Sequence, residues 1–244
     1  MEESFLKYIE DSIKTNWDRP ALTDFKGATS SYKDVARKIE KLHLLFEHCG
    51  IRKGDKIALC SRNTSNWGIA FLATLSYGAV VVPILNEFKP DNIHHIVNHS
   101  EARILFAGDI VWENLDEGAM PDLDGVIRVE DYSLRFSRQK KLTEARAKLN
   151  ELFGKKFPER FRPEDVHYDY DKLNDLALIN YTSGTTSSSK GVMLPYRSLW
   201  TNLKFALGVF GLTPGEQIVS MLPMAHMYGL AFEFIYEFAS GMHI

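Results

Sequence analysis

Apolar residues recur along the chain at two spacings, and stretches of the two kinds alternate. Apolar residues three or four positions apart predict amphipathic helices, whereas short runs rich in β-branched residues predict buried strands. The predicted helices cover residues 3–16, 32–49, 63–77 and 91–99, and the predicted strands cover 56–60, 79–83, 104–107, 125–128 and 176–180. Strands that alternate with helices indicate a parallel sheet with helices packed on its faces. The predicted fold class is α/β, with mostly parallel sheets flanked by helices.

Local signals place some of the boundaries. Ser31 and Asp34 are spaced as an approximate capping box at the start of the second helix, which Gly50 ends. Before that helix, residues 20–30 predict a hairpin that turns at Gly27.

The last fifth of the chain predicts a helix, a strand and a third element of ambiguous period. The helix begins near residue 196 and ends at Gly211, and the strand covers 217–222. Residues 230–240 fit both a helix and a strand, since aromatic residues alternate there. The acidic positions Glu233 and Glu237 are four apart, which favours a helix.

Composition narrows the class of protein. The chain has 244 residues, 45% of them hydrophobic, and a net charge of −3, which is typical of a soluble globular protein and argues against nucleic acid as a partner. The longest apolar run, 71–85, is too short for a membrane span and predicts a buried helix and strand. The acidic start 1–4 lacks the features of a signal peptide, so we expect a cytoplasmic location.

Residues 135–162 differ in charge from the rest of the chain. The segment contains ten Lys and Arg residues and three Glu residues, which gives a net charge of +7. Leu142, Ala145 and Leu149 share one helical stripe. We therefore expect a basic helical insertion at about 133–165. One hypothesis is a peripheral contact with the anionic inner face of a membrane. The alternative is a solvated helix that packs by its apolar stripe onto the sheet.

The stretch 181–191 contains almost only hydroxyl residues, glycine and one lysine. Such a loop offers a polyphosphate many N–H and O–H donors and one mobile positive charge. It is not a Walker A motif, because Ser189 stands where that motif has its second glycine and Gly191 follows Lys190. The alternative is a polar surface turn without chemistry.

Residues 181–191 resemble the phosphate loop of the adenylate-forming superfamily, which includes acyl-CoA synthetases, luciferases and peptide-synthetase adenylation domains. Ser187 and Ser189 depart from the family's glycine and proline, and residues 77–84 are similar to an early core motif of the same family. The resemblance implies that phosphate contacts come from Thr182, Ser183, Thr185, Thr186 and Lys190. It also implies a close backbone approach at Gly184.

A second stretch, 221–230, is similar to the family's Pro-x-x-His-x-x-Gly motif, with His226 and Gly229 at the matching places. The resemblance implies that His226 lies beside the reacting carboxylate as a catalytic residue. Met227, Tyr228 and Gly229 are the candidate acyl and adenylate pocket. A histidine among apolar residues is also compatible with ordinary core packing, so both interpretations stay open.

Within the superfamily the chain most resembles a long-chain fatty-acid–CoA ligase. The resemblance implies ATP-dependent activation of a carboxylic acid, here a fatty acid, to an acyl adenylate and then to a CoA thioester. ATP, Mg²⁺ and coenzyme A are the implied cofactors and substrates, and no metal ligands are predicted here. Family members are about twice as long, so we expect residues 1–244 to be the N-terminal portion of the AMP-binding domain, inactive alone. The alternatives are another adenylating enzyme, such as a luciferase or a peptide-synthetase domain, and a non-catalytic nucleotide-binding module.

Overall fold

The structure is a computed structural model that describes residues 4–168, 171–182 and 189–244. Its strands are Pro20–Thr23 (β1), Thr29–Ser31 (β2), Lys56–Cys60 (β3), Val80–Pro83 (β4), Ala102–Ala107 (β5), Gly125–Arg128 (β6), Leu134–Ser137 (β7), Leu176–Thr182 (β8) and Lys190–Pro195 (β9). Its α-helices are Phe5–Thr15 (α1), Tyr32–Cys49 (α2), Ser65–Tyr77 (α3), Pro90–His99 (α4), Asp109–Trp112 (α5), Lys140–Ala147 (α6), Leu149–Lys156 (α7), Tyr196–Val209 (α8), Met227–Leu230 (α9) and Tyr236–Ala239 (α10).

The main sheet has seven strands in the order β7-β6-β5-β3-β4-β8-β9. The five inner strands run parallel, while β7 and β9 are antiparallel edge strands. The α/β class with a mostly parallel sheet is thereby confirmed. Because β8 is parallel to β4, the stretch that follows β8 leaves from the carboxyl edge of the sheet, where ligands bind in open α/β folds.

Helices cover both faces of the sheet, and alternate residues of one strand serve opposite faces. Ile57 and Leu59 belong to the apolar cluster that includes α2 and α3, whereas Ala58 and Cys60 belong to the cluster under α4. The boundaries of α2 agree with the prediction. The capping box at Ser31 forms, and Gly50 ends the helix at φ 83°.

The basic segment is part of the fold. It begins with the edge strand β7, which was not predicted, and continues with the two helices α6 and α7. Leu142, Ala145 and Leu149 are buried, and both helices pack against α2. The apolar stripe is thus covered within the chain, and a membrane contact would have to rest on the basic side chains alone.

Many of those basic side chains already have partners inside the chain. Arg138 donates to the carbonyl oxygens of three residues, Glu117, Met120 and Leu123, and Lys156 pairs with Glu40 of α2. The positive charge of the segment therefore contributes to anchoring it on its neighbours.

The strand predicted at 217–222 is wrong. Gln217 forms a single parallel bridge with His243, and residues 218–222 have no regular structure. The backbone N–H groups of Met221 and Leu222 donate to the carboxylate of Glu233, both at 2.7 Å. An apolar run becomes a strand only when a neighbouring strand takes up its N–H groups, and here a side chain does so.

The helix favoured for 230–240 is confirmed, with one irregularity. α9 and α10 are joined by a π-helical turn, Ala231–Ile235. The apolar run 71–85 forms the end of α3 and the whole of β4, as predicted. Among the residues that the structure describes, no helix is both long enough and apolar enough to span a membrane.

Candidate functional site

The candidate phosphate loop joins two strands of one hairpin. Thr182, the last residue of β8, is the register partner of Lys190, the first residue of β9, and both are exposed. The helix predicted to begin near residue 196 is α8, and the strand β9, which was not predicted, lies between the loop and this helix. Ser183, Gly184, Thr185 and Thr186 lie outside the described residues, so their roles stay predictions. The structure brings Thr182 and Lys190 together at the mouth of the loop.

Gly191 lets the two strands of this hairpin approach closely. A Cβ atom at this position would lie 2.9 Å from Cγ2 of Ile179 and 3.0 Å from Cζ of Tyr181. Real Cβ atoms essentially never come within 3.0 Å of another atom, so a side chain here would push the strands apart. The glycine after Lys190 is therefore explained by packing against the buried ring of Tyr181.

The same ring is tied to a helix. The hydroxyl of Tyr181 lies 2.7 Å from Nδ1 of His99, the last residue of α4. Burial raises the pKa of the Tyr181 phenol, so the phenol stays protonated at neutral pH. This contact connects the start of the 181–191 stretch to α4.

The His226 stretch is a tight turn that leads into α9. The N–H of His226 donates to Pro223 O at 2.9 Å, and the His226 ring accepts from the N–H of Tyr228 at 3.3 Å as the N-cap of the helix. A Cβ on Gly229 would lie 2.6 Å from Pro223 O, so glycine is needed where the helix passes the turn. The spacing Pro-x-x-His-x-x-Gly thus has a local structural reason.

The predicted pocket residues of this stretch differ in exposure. His226 and Tyr228 are exposed, Met227 is half-buried and Gly229 is buried. The Tyr228 ring lies 5.1 Å from the ring of Phe232, which is half-buried. His226 and Tyr228 therefore present polar and aromatic groups at the surface, which is not the setting of a core histidine.

Three polar side chains to which no functional role was assigned from the sequence hold this turn in place. Nδ2 of Asn63 donates to Leu222 O at 2.7 Å, and its Oδ1 accepts from the N–H of Met224 at 2.8 Å. Nδ2 of the buried Asn180 donates to Ala225 O at 3.1 Å. The third is the Glu233 carboxylate described above. We call these three side chains the turn clamps.

The turn clamps connect the two motifs. Asn180 lies on β8, two residues before Thr182, and contacts the residue before His226. Asn63 lies just beyond the carboxyl end of β3. Both asparagines could have been found from the sequence, because each lies at or just beyond the carboxyl end of a predicted buried strand. Functional groups of α/β folds gather at that edge of the sheet.

A cavity of about 480 Å³ adjoins the Asn63 clamp, lined by residues that include Leu22, Met224 and Phe234. His226, Met227 and Tyr228 do not line it. The predicted acyl-pocket residues are therefore not part of this cavity.

Comparison with known proteins identifies the family. Residues 9–244 match the AMP-binding enzyme family. The chain belongs to this family. Relatives include the peroxisomal long-chain acyl-CoA synthetase 6 of Arabidopsis thaliana, 31% identical over 91% of this chain, and the long-chain-fatty-acid–CoA ligase 5 of Rattus norvegicus, 27% identical over 81% of it. The chain spans only 31% and 30% of the lengths of those two proteins, about a third.

Solved structures share the fold. A red-emitting luciferase from Phrixothrix hirtus superposes with a TM-score of 0.82 at 19% identity, covering 99% of this chain and 46% of that one. A long-chain-fatty-acid–CoA ligase from Archaeoglobus fulgidus superposes with a TM-score of 0.75 at 22% identity, covering 99% of this chain and 47% of that one. The family match confirms the resemblance to the adenylate-forming superfamily. The superpositions confirm the predicted fold.

Proposed function

We propose that this chain carries the phosphate-binding and carboxylate-binding parts of an enzyme that uses ATP to join a carboxylic acid to coenzyme A. The acid we propose is a fatty acid. The observation that supports this proposal is a contact that connects the two sequence motifs. The hairpin mouth at Thr182 and Lys190 and the turn at His226 are linked by the hydrogen bond from Asn180 to Ala225 O.

The phosphate side of the site is assigned to the hairpin. Lys190 would supply a positive charge to the β- and γ-phosphates, and the Thr182 hydroxyl would donate to the same oxygens. The hydroxyl groups of Ser183, Thr185 and Thr186 and the backbone of Gly184 would complete the cradle. Because Lys190 is exposed at the end of β9, no buried partner competes for its charge in the described structure.

The acid side is assigned to the turn. His226 would orient the carboxylate near the nucleotide, and Met227, Tyr228 and Gly229 would border the acyl group. The tethering of this turn to β3 and β8 by Asn63 and Asn180 would hold His226 at a fixed position relative to Lys190. Positioning of this kind contributes strongly to catalysis when the reaction joins two substrates.

The chemistry follows from the poor leaving group of a carboxylate. Joining the acid to the α-phosphate of ATP gives an acyl adenylate and pyrophosphate, and the thiol of coenzyme A then displaces AMP. Charge develops on phosphate and carbonyl oxygens in both steps, so fixed donors and cations carry most of the rate enhancement. The fatty nature of the acid rests on the names of the relatives and on the apolar and aromatic border of the turn.

Mg²⁺ accompanies ATP in this type of reaction. In residues 4–168, 171–182 and 189–244 no three His, Cys, Asp or Glu side chains come together in a way that could hold a metal ion. The described residues do not fit a protein-held Mg²⁺ site, and we derive no step through the ion. We propose a cytoplasmic location, with a membrane contact through 135–162 as an addition to it.

The test is acid-dependent AMP formation by the complete protein with ATP, CoA and a panel of acids from acetate to stearate. We expect AMP release with long-chain acids and a loss of about a hundredfold or more in kcat/KM for Lys190→Ala. Lys141→Ala, which changes an exposed lysine on α6, is the matched control and should keep full activity. The proposal fails if no acid supports AMP formation, or if Lys190→Ala is as active as Lys141→Ala.

A further inference from the structure

Helix α4 carries two histidines that the proposed reaction does not use. His95 and His99 are four residues apart, so they lie on one face of the helix, and both are exposed. Their ring centroids are 5.4 Å apart, with 35° between the ring planes. Two histidines at this spacing on one helical face are the arrangement with which several proteins hold a transition-metal ion.

The ring separation suits a single shared ion. Zn²⁺ binds histidine nitrogens at about 2.0–2.1 Å, so two rings that share one ion in a near-tetrahedral arrangement have centroids roughly 5 Å apart. The observed separation of 5.4 Å is close to this value.

Tyr181 is a hydrogen-bond partner of the kind that metal-binding histidines have on the ring nitrogen that does not hold the ion. Nδ1 of His99 lies 2.7 Å from the Tyr181 hydroxyl, which leaves Nε2 of the ring for an ion. With an ion on Nε2, the proton of the neutral ring resides on Nδ1 and is donated to the Tyr181 oxygen. A partner of this kind fixes the tautomer and the orientation of a metal-binding histidine.

The position on the helix also favours a cation. His99 is the last residue of α4, where the unpaired carbonyl groups of the final turn carry partial negative charge. His94, the neighbouring histidine, is different, because its Nε2 accepts a hydrogen bond from the N–H of Asp116 at 3.0 Å. His95 and His99 are therefore distinguished from His94 by geometry and by partners.

We propose that His95 and His99 form a binding site for a divalent transition-metal ion of the Zn²⁺ type, with Tyr181 as the outer partner of His99. Water completes the coordination, since the described residues offer no third His, Cys, Asp or Glu ligand close by. A site with two protein ligands binds more weakly than a structural site with four, so the ion exchanges with solution.

The test is calorimetric titration of the purified chain, free of any histidine tag, with Zn²⁺. We expect one binding event, weakened about tenfold or more by His95→Gln and by His99→Gln, and roughly tenfold by Tyr181→Phe. His94→Gln is the matched control and should bind as the wild type does. Unchanged affinity in both the His95 and His99 variants, or an equal loss in the His94 variant, would overturn the proposal.

A second measurement on the wild-type chain covers the case in which a variant fails to fold. The ring-nitrogen NMR signals of His95 and His99 should shift on addition of Zn²⁺, and those of His94 should not. If neither ring responds, the site does not exist. Neither experiment depends on acyl activation, so the two proposals can fail separately.

Discussion

Replacing Glu237 with glutamine is expected to remove a loss of stability that the wild-type chain suffers as the pH rises. Glu237 lies on α10 and is 3% exposed. Its Oε2 atom has no hydrogen-bond partner among the described residues. Burial, with a smaller contribution from the nearby Glu233 carboxylate, raises the pKa of Glu237 from 4.5 to about 8.

The size and sign of the effect follow from these values. Below pH 4.5 the carboxyl is protonated in both the folded and the unfolded chain, and its full contribution to stability is present. Between 4.5 and about 8 the unfolded chain releases the proton while the folded chain keeps it, so the free energy of unfolding falls. One pKa unit corresponds to about 1.4 kcal/mol, so the total loss by pH 9 is about 5 kcal/mol.

The assay is urea unfolding, followed by circular dichroism, at pH 5, 7 and 9. Glutamine cannot ionise, so the variant lacks this part of the pH dependence, although its amide group costs about 1–3 kcal/mol at every pH if it stays unpaired. The informative quantity is therefore the difference between variant and wild type as a function of pH. Glu159→Gln, which changes an 87% exposed side chain, is the control.

The expected result is that Glu237→Gln gains stability relative to the wild type from pH 5 to pH 9, whereas Glu159→Gln follows the wild type. If the unfolding free energies of wild type and Glu237→Gln change in parallel over this range, the carboxyl is not protonated in the folded chain. The explanation from burial would then be refuted.

Two further predictions concern the site. Asn63→Ala removes two hydrogen bonds from the turn, each contributing about 0.5–1.5 kcal/mol, so hydrogen exchange at residues 222–230 should become about 5–150-fold faster. Asn66→Ala, which also removes two side-chain contacts, should leave those amides unchanged, and equal effects would contradict the clamp. Gly191→Ala should lower the free energy of unfolding in urea by about 1–3 kcal/mol, because the Cβ of the alanine would lie 2.9 Å from Ile179. A variant as stable as the wild type would mean that the hairpin accommodates the side chain without cost.

The sequence predicted best those elements whose signals are local. α2 begins and ends at the predicted residues because a capping box and a glycine with positive φ act within a few positions of the boundary. The core strands were found because β-branched runs buried on both faces are hydrophobic throughout. The motif residues Thr182, Lys190 and His226 were recognised by resemblance, and the structure places the first two opposite each other.

The misses share one physical cause, which is dependence on a partner distant in sequence. β9 begins with Lys190 and Gly191, which do not look like a strand, and its pairing with β8 was the decisive factor. The run 217–222 looked like a strand, but Glu233 takes two of its N–H groups. The position of Glu237 on a polar stripe did not reveal that neighbouring helices bury it.

The close contact between Gly191 and Tyr181 has a consequence for how the loop can vary. Shifting β9 by two residues would keep its side chains on the same face but would bring Ser189 or Met193 against the Tyr181 ring, where a Cβ does not fit. The hairpin therefore has one register. Residues added to or removed from 183–189 must be accommodated within the loop, while Thr182 and Lys190 stay opposite each other.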